Sequence, residues 1–282
     1  MPLPTVAQIE EQDPRYLRFR RQILAVSAAW AAVTVLVTAS LGLAGLAVGL
    51  IGWGALAVVT ALWTFHRLQI EQVRHYRQLE ALFSLHALIK INQPLPPTRL
   101  WAASPDFLLL AVELVRQTDP RFVLELGSGV STLVCAYALR DSSGQLISMD
   151  HDAGFGQATV GYLRSHGLDN VAKVVCAPLR QIRVGAQVWR WYETNIIETL
   201  PPVDLLIVDG PPATTQPLAR YPALPLLFDR LSAGALILVD DFARSDDAAT
   251  VSKWLQEYDL VVVRTVPTEK GAVILRKTDS AG

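Results

Sequence analysis

Cysteine is scarce in this 282-residue chain: Cys135 and Cys176 are the only two, and each lies inside an apolar run. Paired-cysteine zinc sites and a disulfide scaffold are therefore excluded, and both residues read as buried small hydrophobes in a reducing compartment. Charge is also scarce, at 18% of residues, and nearly balanced, with a formal net charge of -1. A polycation that tracks nucleic acid and a disordered acidic chain are both excluded, so no nucleic-acid partner is expected. The scarcity has a location: from Gln22 to Phe65, 44 residues pass without one Asp, Glu, Lys, Arg or His. No internal repeat or low-complexity segment is present.

At a rise of about 1.5 Å per helical residue, such a run exceeds one crossing of a hydrocarbon core about 30 Å thick and suffices for two. A helical hairpin is expected, with spans near 23–40 and 46–65 and a turn within Ser40 to Gly45 (SLGLAG). Arg15, Arg18, Arg20 and Arg21 precede the first span, and Arg67, Arg74 and Arg77 follow the second. The positive-inside rule then places both ends, and the domain that follows, on the cytoplasmic side of the cell (inner) membrane. A cleaved signal peptide fits poorly, because the apolar run starts late and is too long. Trp30, Trp53 and Trp63 belong either at the membrane interfaces or inside the hairpin. The alternative for the whole segment is a buried helical hairpin of a soluble protein.

The chain divides into a cytoplasmic N-terminal segment (1–21), the transmembrane hairpin (22–66), a connector (67–97) and an α/β domain (98–282). In the connector, Leu68, Val73, Tyr76, Leu79, Leu82, Phe83, Leu88 and Ile89 recur at close to helical spacing among mixed charges, as in an amphipathic helix. It can lie on the α/β domain, on the bilayer, or on a second copy, which would make a homo-oligomer through residues 67–91. His75 and His86 on it read as solvated or packed side chains rather than ligands. Residues 92–106 hold four prolines in fifteen and form a linker, after which Ser104, Pro105 and Asp106 open a helix to about Thr118.

Strands are expected at 121–127, 145–150, 171–177, 203–209 and 235–241, with helices at 131–140, 153–166, around 216–231, and at 246–257. Trp189, Trp191 and Tyr192 fall in an irregular insertion, read as cover for the sheet in preference to a pocket wall. The alternation predicts a Rossmann-like doubly wound sheet, mostly parallel and covered on both faces. The last two runs, DLVVVRT and GAVILRK, are too close for a crossover and are expected as an antiparallel pair.

The glycine loop LELGSGVST follows the first strand. Gly127 and Gly129 permit tight turning and close backbone approach, but Thr132 stands where a dinucleotide fingerprint has its third glycine. Glu125, in the strand itself, brings negative charge towards a ligand, which suits a cationic ligand better than a pyrophosphate. Asp150 ends the second strand at the distance where an acid accepts hydrogen bonds from ribose hydroxyls. Farther on, Asp209 ends one strand and Asp240 with Asp241 the next, so the three should meet; either a divalent cation such as Mg relieves their repulsion, or Asp209 contacts the cofactor or substrate without metal while Asp240 and Asp241 cap a helix. Such an ion could also orient two neighbouring substrate hydroxyls.

ELGSG followed by SMD resembles the E-x-G-x-G and acidic second-strand signatures of class I S-adenosylmethionine-dependent methyltransferases, over about residues 98–277. The resemblance implies that Gly127, Ser128 and Gly129 pass the methionine part of the cofactor, Asp150 holds its ribose, and His151 with Ala177 and Pro178 flanks its adenine. Glu125 would position the glycine loop, with Thr132 beside it in the cofactor-binding set. The acids at 209, 240 and 241 are similar in place to those of Mg-dependent sugar O-methyltransferases. The match fails just after Asp209, where Gly210, Pro211 and Pro212 stand instead of another acid. Asp209 and His151 are candidates for a general base. The expected function is O-methylation of a sugar, lipid-linked or other small acceptor, with a catalytically silent membrane scaffold and a nicotinamide-dependent oxidoreductase as alternatives. Arg220-Tyr221-Pro222 reads as either substrate lining or loop packing.

Overall fold

The computed structural model of the chain describes residues 14–278, with side chains from Arg21 onward. Of the expected N-terminal segment, residues 1–13 lie outside the described residues. The chain divides into two compact units, the first ending at Val73 and the second beginning at Arg74.

In the first unit, α1 (Pro14–Leu41) and the start of α2 (Leu43–Leu88) meet at a one-residue turn. Gly42, at φ 57°, makes that turn within the expected window. The two helices pack closely through glycine: a Cβ on Gly49 would lie 2.3 Å from Thr34 Cγ2, and one on Gly52 only 1.9 Å from the Trp30 ring. Backbones approach this closely where small residues line a helix pair. Trp30 also donates through Nε1 to the Gly49 carbonyl at 3.4 Å, so it belongs to the hairpin interior. The outward side chains, among them Val35, Leu36, Leu43, Ile51 and Leu62, are exposed among the described residues. Helix α2 runs without a break through residue 66.

In the second unit, the end of α2 lays Gln78, Ala81 and Leu85 against the core. Tyr76, Leu79 and Phe83 of the same helix remain exposed, so the expected apolar stripe is only partly the packing face. Arg116, near the end of α3 (Pro105–Thr118), donates to the Leu88 carbonyl and closes α2. The sheet follows as β1 (Phe122–Leu126), β2 (Gln145–Asp150), β3 (Ala172–Cys176), β6 (Val203–Val208), β7 (Leu231–Val239), β8 (Leu260–Val266) and β9 (Ala272–Lys277). Helices α4 (Val130–Leu139), α5 (Ala153–Ser165) and α7 (Ser245–Glu257) connect them. The strand order is β3-β2-β1-β6-β7-β9-β8. All pairs are parallel except β7 with β9 and β8 with β9, which gives the expected antiparallel ending.

Three expectations need correction. The segment expected as irregular is a hairpin of β4 (Leu179–Val184) and β5 (Gln187–Tyr192), separate from the main sheet. Its β-rich RQIRV and QVWRWY runs alternate, and the turn turns on Gly185, at φ 58°. The helix expected around 216–231 shrinks to α6 (Ala223–Leu227), because Pro217 and Pro222 lack a donor and disfavour helical geometry at the residue before each. Cys176 is exposed rather than buried, because β3 is an edge of the sheet, whereas Cys135 is buried as expected.

Alternation along the strands divides the core. Val123, Leu205, Ile207 and Leu238 face α3 and α4, while Leu124, Leu126, Leu206 and Val208 face the opposite side with Trp191, Tyr192 and Trp254. Each such aromatic removes roughly 150–250 Å² from water. This packing fixes the strand ends from which the site is built.

Candidate active site

Parallel strands β2, β1, β6 and β7 end side by side, and the expected acids sit at or just beyond those ends in two stations, Glu125 with Asp150 and Asp209 with Asp240 and Asp241. Gly127 leaves β1 at φ 98°, a conformation that favours glycine, and its N–H donates to the Met149 carbonyl of β2 at 2.8 Å. On the other side Asp209 N–H donates to the Leu126 carbonyl at 3.0 Å. A Cβ on Gly210 would meet the Tyr192 hydroxyl at 2.2 Å, so only glycine lets this segment pass the tyrosine. Beside Gly129, by contrast, a Cβ would meet no atom within 4 Å, so the loop borders open space there.

Thr132 explains the missing third glycine. Its hydroxyl accepts from Gly129 N–H at 3.0 Å and donates to Glu125 Oε2 at 2.5 Å. The loop is thereby tied to the acid beneath it through one side chain. Glu125 is fully buried, and burial raises its pKa to about 7 against the hydroxyls of Ser131, Thr132 and Ser148, with the charge of Asp150 raising it further. Its Oε1 makes no hydrogen bond of normal geometry.

Asp150 is buried and held by donors without charge. Oδ2 accepts from Ser128 N–H at 2.9 Å and Ser128 Oγ at 2.5 Å, and Oδ1 accepts from Asp152 N–H at 2.9 Å. His151 Nδ1 lies 3.6 Å from Oδ1, and the ring meets Tyr192 edge-on at 6.3 Å between centroids. Ala177 N–H donates to the Asp150 carbonyl at 2.7 Å, which brings Ala177 and Pro178 to the same end of the sheet as His151. Asp152 caps α5 by accepting from Gly154 and Phe155 N–H, which lowers its pKa. All the expected cofactor-side residues therefore converge on the ends of β1, β2 and β3.

The second acidic station is built differently. The carboxylates of Asp209, Asp240 and Asp241 come within 4.8 Å of one another, as expected for a metal set. Among them lies the buried guanidinium of Arg220. It donates to Asp241 Oδ2 at 2.6 Å, Asp240 O at 2.7 Å, Asp209 O at 2.9 Å and Asp209 Oδ1 at 3.3 Å, and faces Asp247 Oδ1 at 3.4 Å. Arg244 Nη1 reaches Asp241 Oδ2 at 2.9 Å, and Lys270 Nζ stands 4.0 Å from Asp240 Oδ2. Burial alone would lower the Arg220 pKa, but the four surrounding carboxylates outweigh it and hold the group above its ordinary value. Burial raises Asp209 to about 6, opposed by Arg220 and assisted by Asp241. Asp240 is pushed well up by burial and then by its two acidic neighbours.

A cavity of about 230 Å³ opens beside this cluster, lined by Leu100, Trp101, Asp209, Pro212, Arg244 and Lys270 among others. Trp101 is 83% exposed at its rim. Its loop has Arg99 and Leu100 at positive φ, and Arg99 forks onto Glu269 with bonds of 2.7 and 2.9 Å. Glu269 N–H and Gln78 Nε2 both donate to Asp106 Oδ2 at 2.8 Å, which ties the rim to α2.

Arg220, the Tyr192 hydroxyl, Lys270, Arg244 and Trp101 are functional candidates: sequence reasoning leaves Arg220 between substrate lining and loop packing, reads Tyr192 as cover and Trp101 as linker, and does not single out Lys270 or Arg244. A usable signal existed for Arg220, an arginine among prolines eleven residues after a strand-end acid. Trp101, inside a proline-rich linker, had none.

Residues 124–242 match the family model described as a methyltransferase domain. No curated protein matches the chain. Among solved structures, the SAH-bound methyltransferase PaMTH1 of Podospora anserina superposes with a TM-score of 0.52 at 17% identity, covering 72% of this chain and 88% of that one. The O-methyltransferase from Bacillus cereus in complex with SAH gives 0.49 at 13%, covering 71% and 90%. The O-methyltransferase TomG from Streptomyces achromogenes, in complex with SAM, gives 0.47 at 17%, covering 72% and 89%. The sheet order, the antiparallel ending and the Podospora likeness together show a Rossmann-like methyltransferase fold.

Proposed function

We propose that the chain is an S-adenosylmethionine-dependent O-methyltransferase anchored in a membrane by its N-terminal hairpin. The carrying observation is the pair of buried acids around the glycine loop, Asp150 tied to Ser128 and Glu125 tied through Thr132 to Gly129. The residues present fit the cofactor: Glu125 Oε1 is a buried oxygen without a normal hydrogen bond, and open space borders Gly129. Gly127, Ser128 and Gly129 would hold its methionine part, Asp150 its ribose, and His151 with Ala177 and Pro178 its adenine. Bound there, the cofactor supplies a methyl group on a sulfonium. Exchange of Ser128 for ribose hydroxyls on Asp150 Oδ2 keeps that carboxylate satisfied in both states.

Asp209 borders the cavity and carries a carboxyl whose pKa is raised to about 6, so at neutral pH it is an ionised base close to working pH. It accepts the proton of an acceptor hydroxyl, while the walls place that oxygen and exclude water. Leu100 and Trp101 at the rim suit an acceptor with an apolar body, such as a lipid-linked sugar. The hairpin supports a membrane address, because two apolar helices expose side chains that water would not tolerate as so large a patch. The three acids raise the question of magnesium, and one side-chain oxygen on each of two of them, Asp209 Oδ1 and Asp241 Oδ2, is engaged by Arg220.

Lipid extracts of cells with and without the gene, compared by mass spectrometry, test the acceptor. A 14-dalton difference in a lipid-linked species is expected. Identical extracts would remove the lipid-linked acceptor.

A further inference from the structure

We propose that Arg220 is the resident cation of the acid cluster, and that the site works without a divalent metal. This rests on the methyltransferase reading above and concerns how its acceptor pocket is charged. A metal among Asp209, Asp240 and Asp241 needs carboxylate oxygens turned inward and no competing cation between them. Asp241 Oδ2 is committed twice, to Arg220 at 2.6 Å and to Arg244 at 2.9 Å, and Asp209 Oδ1 faces Arg220 at 3.3 Å. The same guanidinium bonds to the main-chain carbonyls of Asp209 and Asp240, so it joins the ends of β6 and β7 as a built part of the fold. A planar fork with several fixed donors is suited to that task, where a lysine is not.

The charges also balance from within. Asp209, Asp240, Asp241 and Asp247 are faced by Arg220, Arg244 and Lys270, so a single proton on the cluster leaves it neutral. Asp240 keeps both side-chain oxygens and Asp241 its Oδ1 without a hydrogen bond, and the cation facing Asp240 is Lys270, whose Nζ donates to the Ala102 carbonyl at 3.1 Å and stands 4.0 Å from Asp240 Oδ2. One consequence concerns the acceptor. Without an ion to chelate two neighbouring hydroxyls, the pocket selects a single hydroxyl set by its walls, and a vicinal diol is not required.

The test is Mn²⁺ titration of the full chain in detergent, read by electron paramagnetic resonance, beside calorimetric SAH titration in Mg²⁺ and in EDTA. Wild type is expected to bind no stoichiometric Mn²⁺ at micromolar concentrations, and to bind SAH equally in both buffers. Arg220→Gln, if it folds, is expected to gain one Mn²⁺ site that Asp240→Asn in the same background removes. One equivalent of Mn²⁺ on wild type, lost in Asp240→Asn, overturns the proposal, as does a folded Arg220→Gln that binds none. If Arg220→Gln does not fold, the wild-type and Asp240→Asn titrations still decide. Failure of SAH to bind in either buffer would instead strike the methyltransferase reading.

Discussion

The two acidic stations at the top of the sheet use the same residue types and solve their repulsion in opposite ways. Around the glycine loop, Asp150 and Glu125 receive hydrogen bonds from neutral donors, Ser128, Asp152 N–H and Thr132, and among the described residues no Lys or Arg forms an ion pair with them. At the ends of β6 and β7, Asp209, Asp240 and Asp241, with Asp247 from the first turn of α7, surround a buried arginine with two more cations at the edge. Acids left without a cation are prepared to receive one, as a sulfonium cofactor with an ammonium group would supply. Acids already supplied with a cation form a rigid wall and a base.

The largest effect that would break this contrast is Arg220→Met. Removing one partner from a buried ion cluster leaves charges uncompensated and is expected to cost about 3–5 kcal/mol by chemical denaturation. Ser128→Ala, which removes one donor from Asp150, is expected to cost about 1.5–3 kcal/mol or less. Equal effects would erase the distinction.

Next in size is the proton on Glu125. Its folded pKa, about 7, lies above the ordinary carboxylate value, so its contribution to stability is full at acidic pH and is lost as pH rises through about 7. Relative to Glu125→Gln, wild type is expected to lose on the order of 3 kcal/mol between about pH 4.5 and pH 8. Melting curves of the two proteins across that range check it; parallel curves would place no titrating acid under the loop.

Much of this was legible before any coordinates. The strand starts and ends of β1, β2 and β6 follow from short apolar runs with Gly or Asp at their ends, and the acids fall where parallel strands must bring them together. The hairpin of the first unit follows from 44 residues without charge. What escaped was governed by partners remote in sequence. Arg220 becomes a cluster centre only when the loop after β6 folds back over β7, and Tyr192 reaches Gly210 only because β4 and β5 pair. The six-residue strand QVWRWY carries that alternation, but its aromatics read as loop cover for the main sheet rather than as one face of a strand. Cys176 misled because an apolar run does not say whether its strand is central or at an edge.

The smallest expected effect sharpens the loop itself. Thr132→Gly would complete a dinucleotide-like fingerprint, yet it removes the hydroxyl joining Gly129 to Glu125 and puts glycine into α4. A loss of about 1–2 kcal/mol is expected, together with weaker SAH binding and no gain of NADH binding by fluorescence titration. Tight NADH binding by this variant would mean that Thr132 alone decides the ligand.

The central claim is that the acids around LELGSGVST hold S-adenosylmethionine, and calorimetric titration of SAH into the full chain and its Asp150→Asn variant tests it most directly. The expected result is saturable one-to-one binding by wild type, weakened at least about tenfold in the variant, as for loss of charge-assisted hydrogen bonds to a ribose. Absence of binding, or equal affinity in the two proteins, would contradict it.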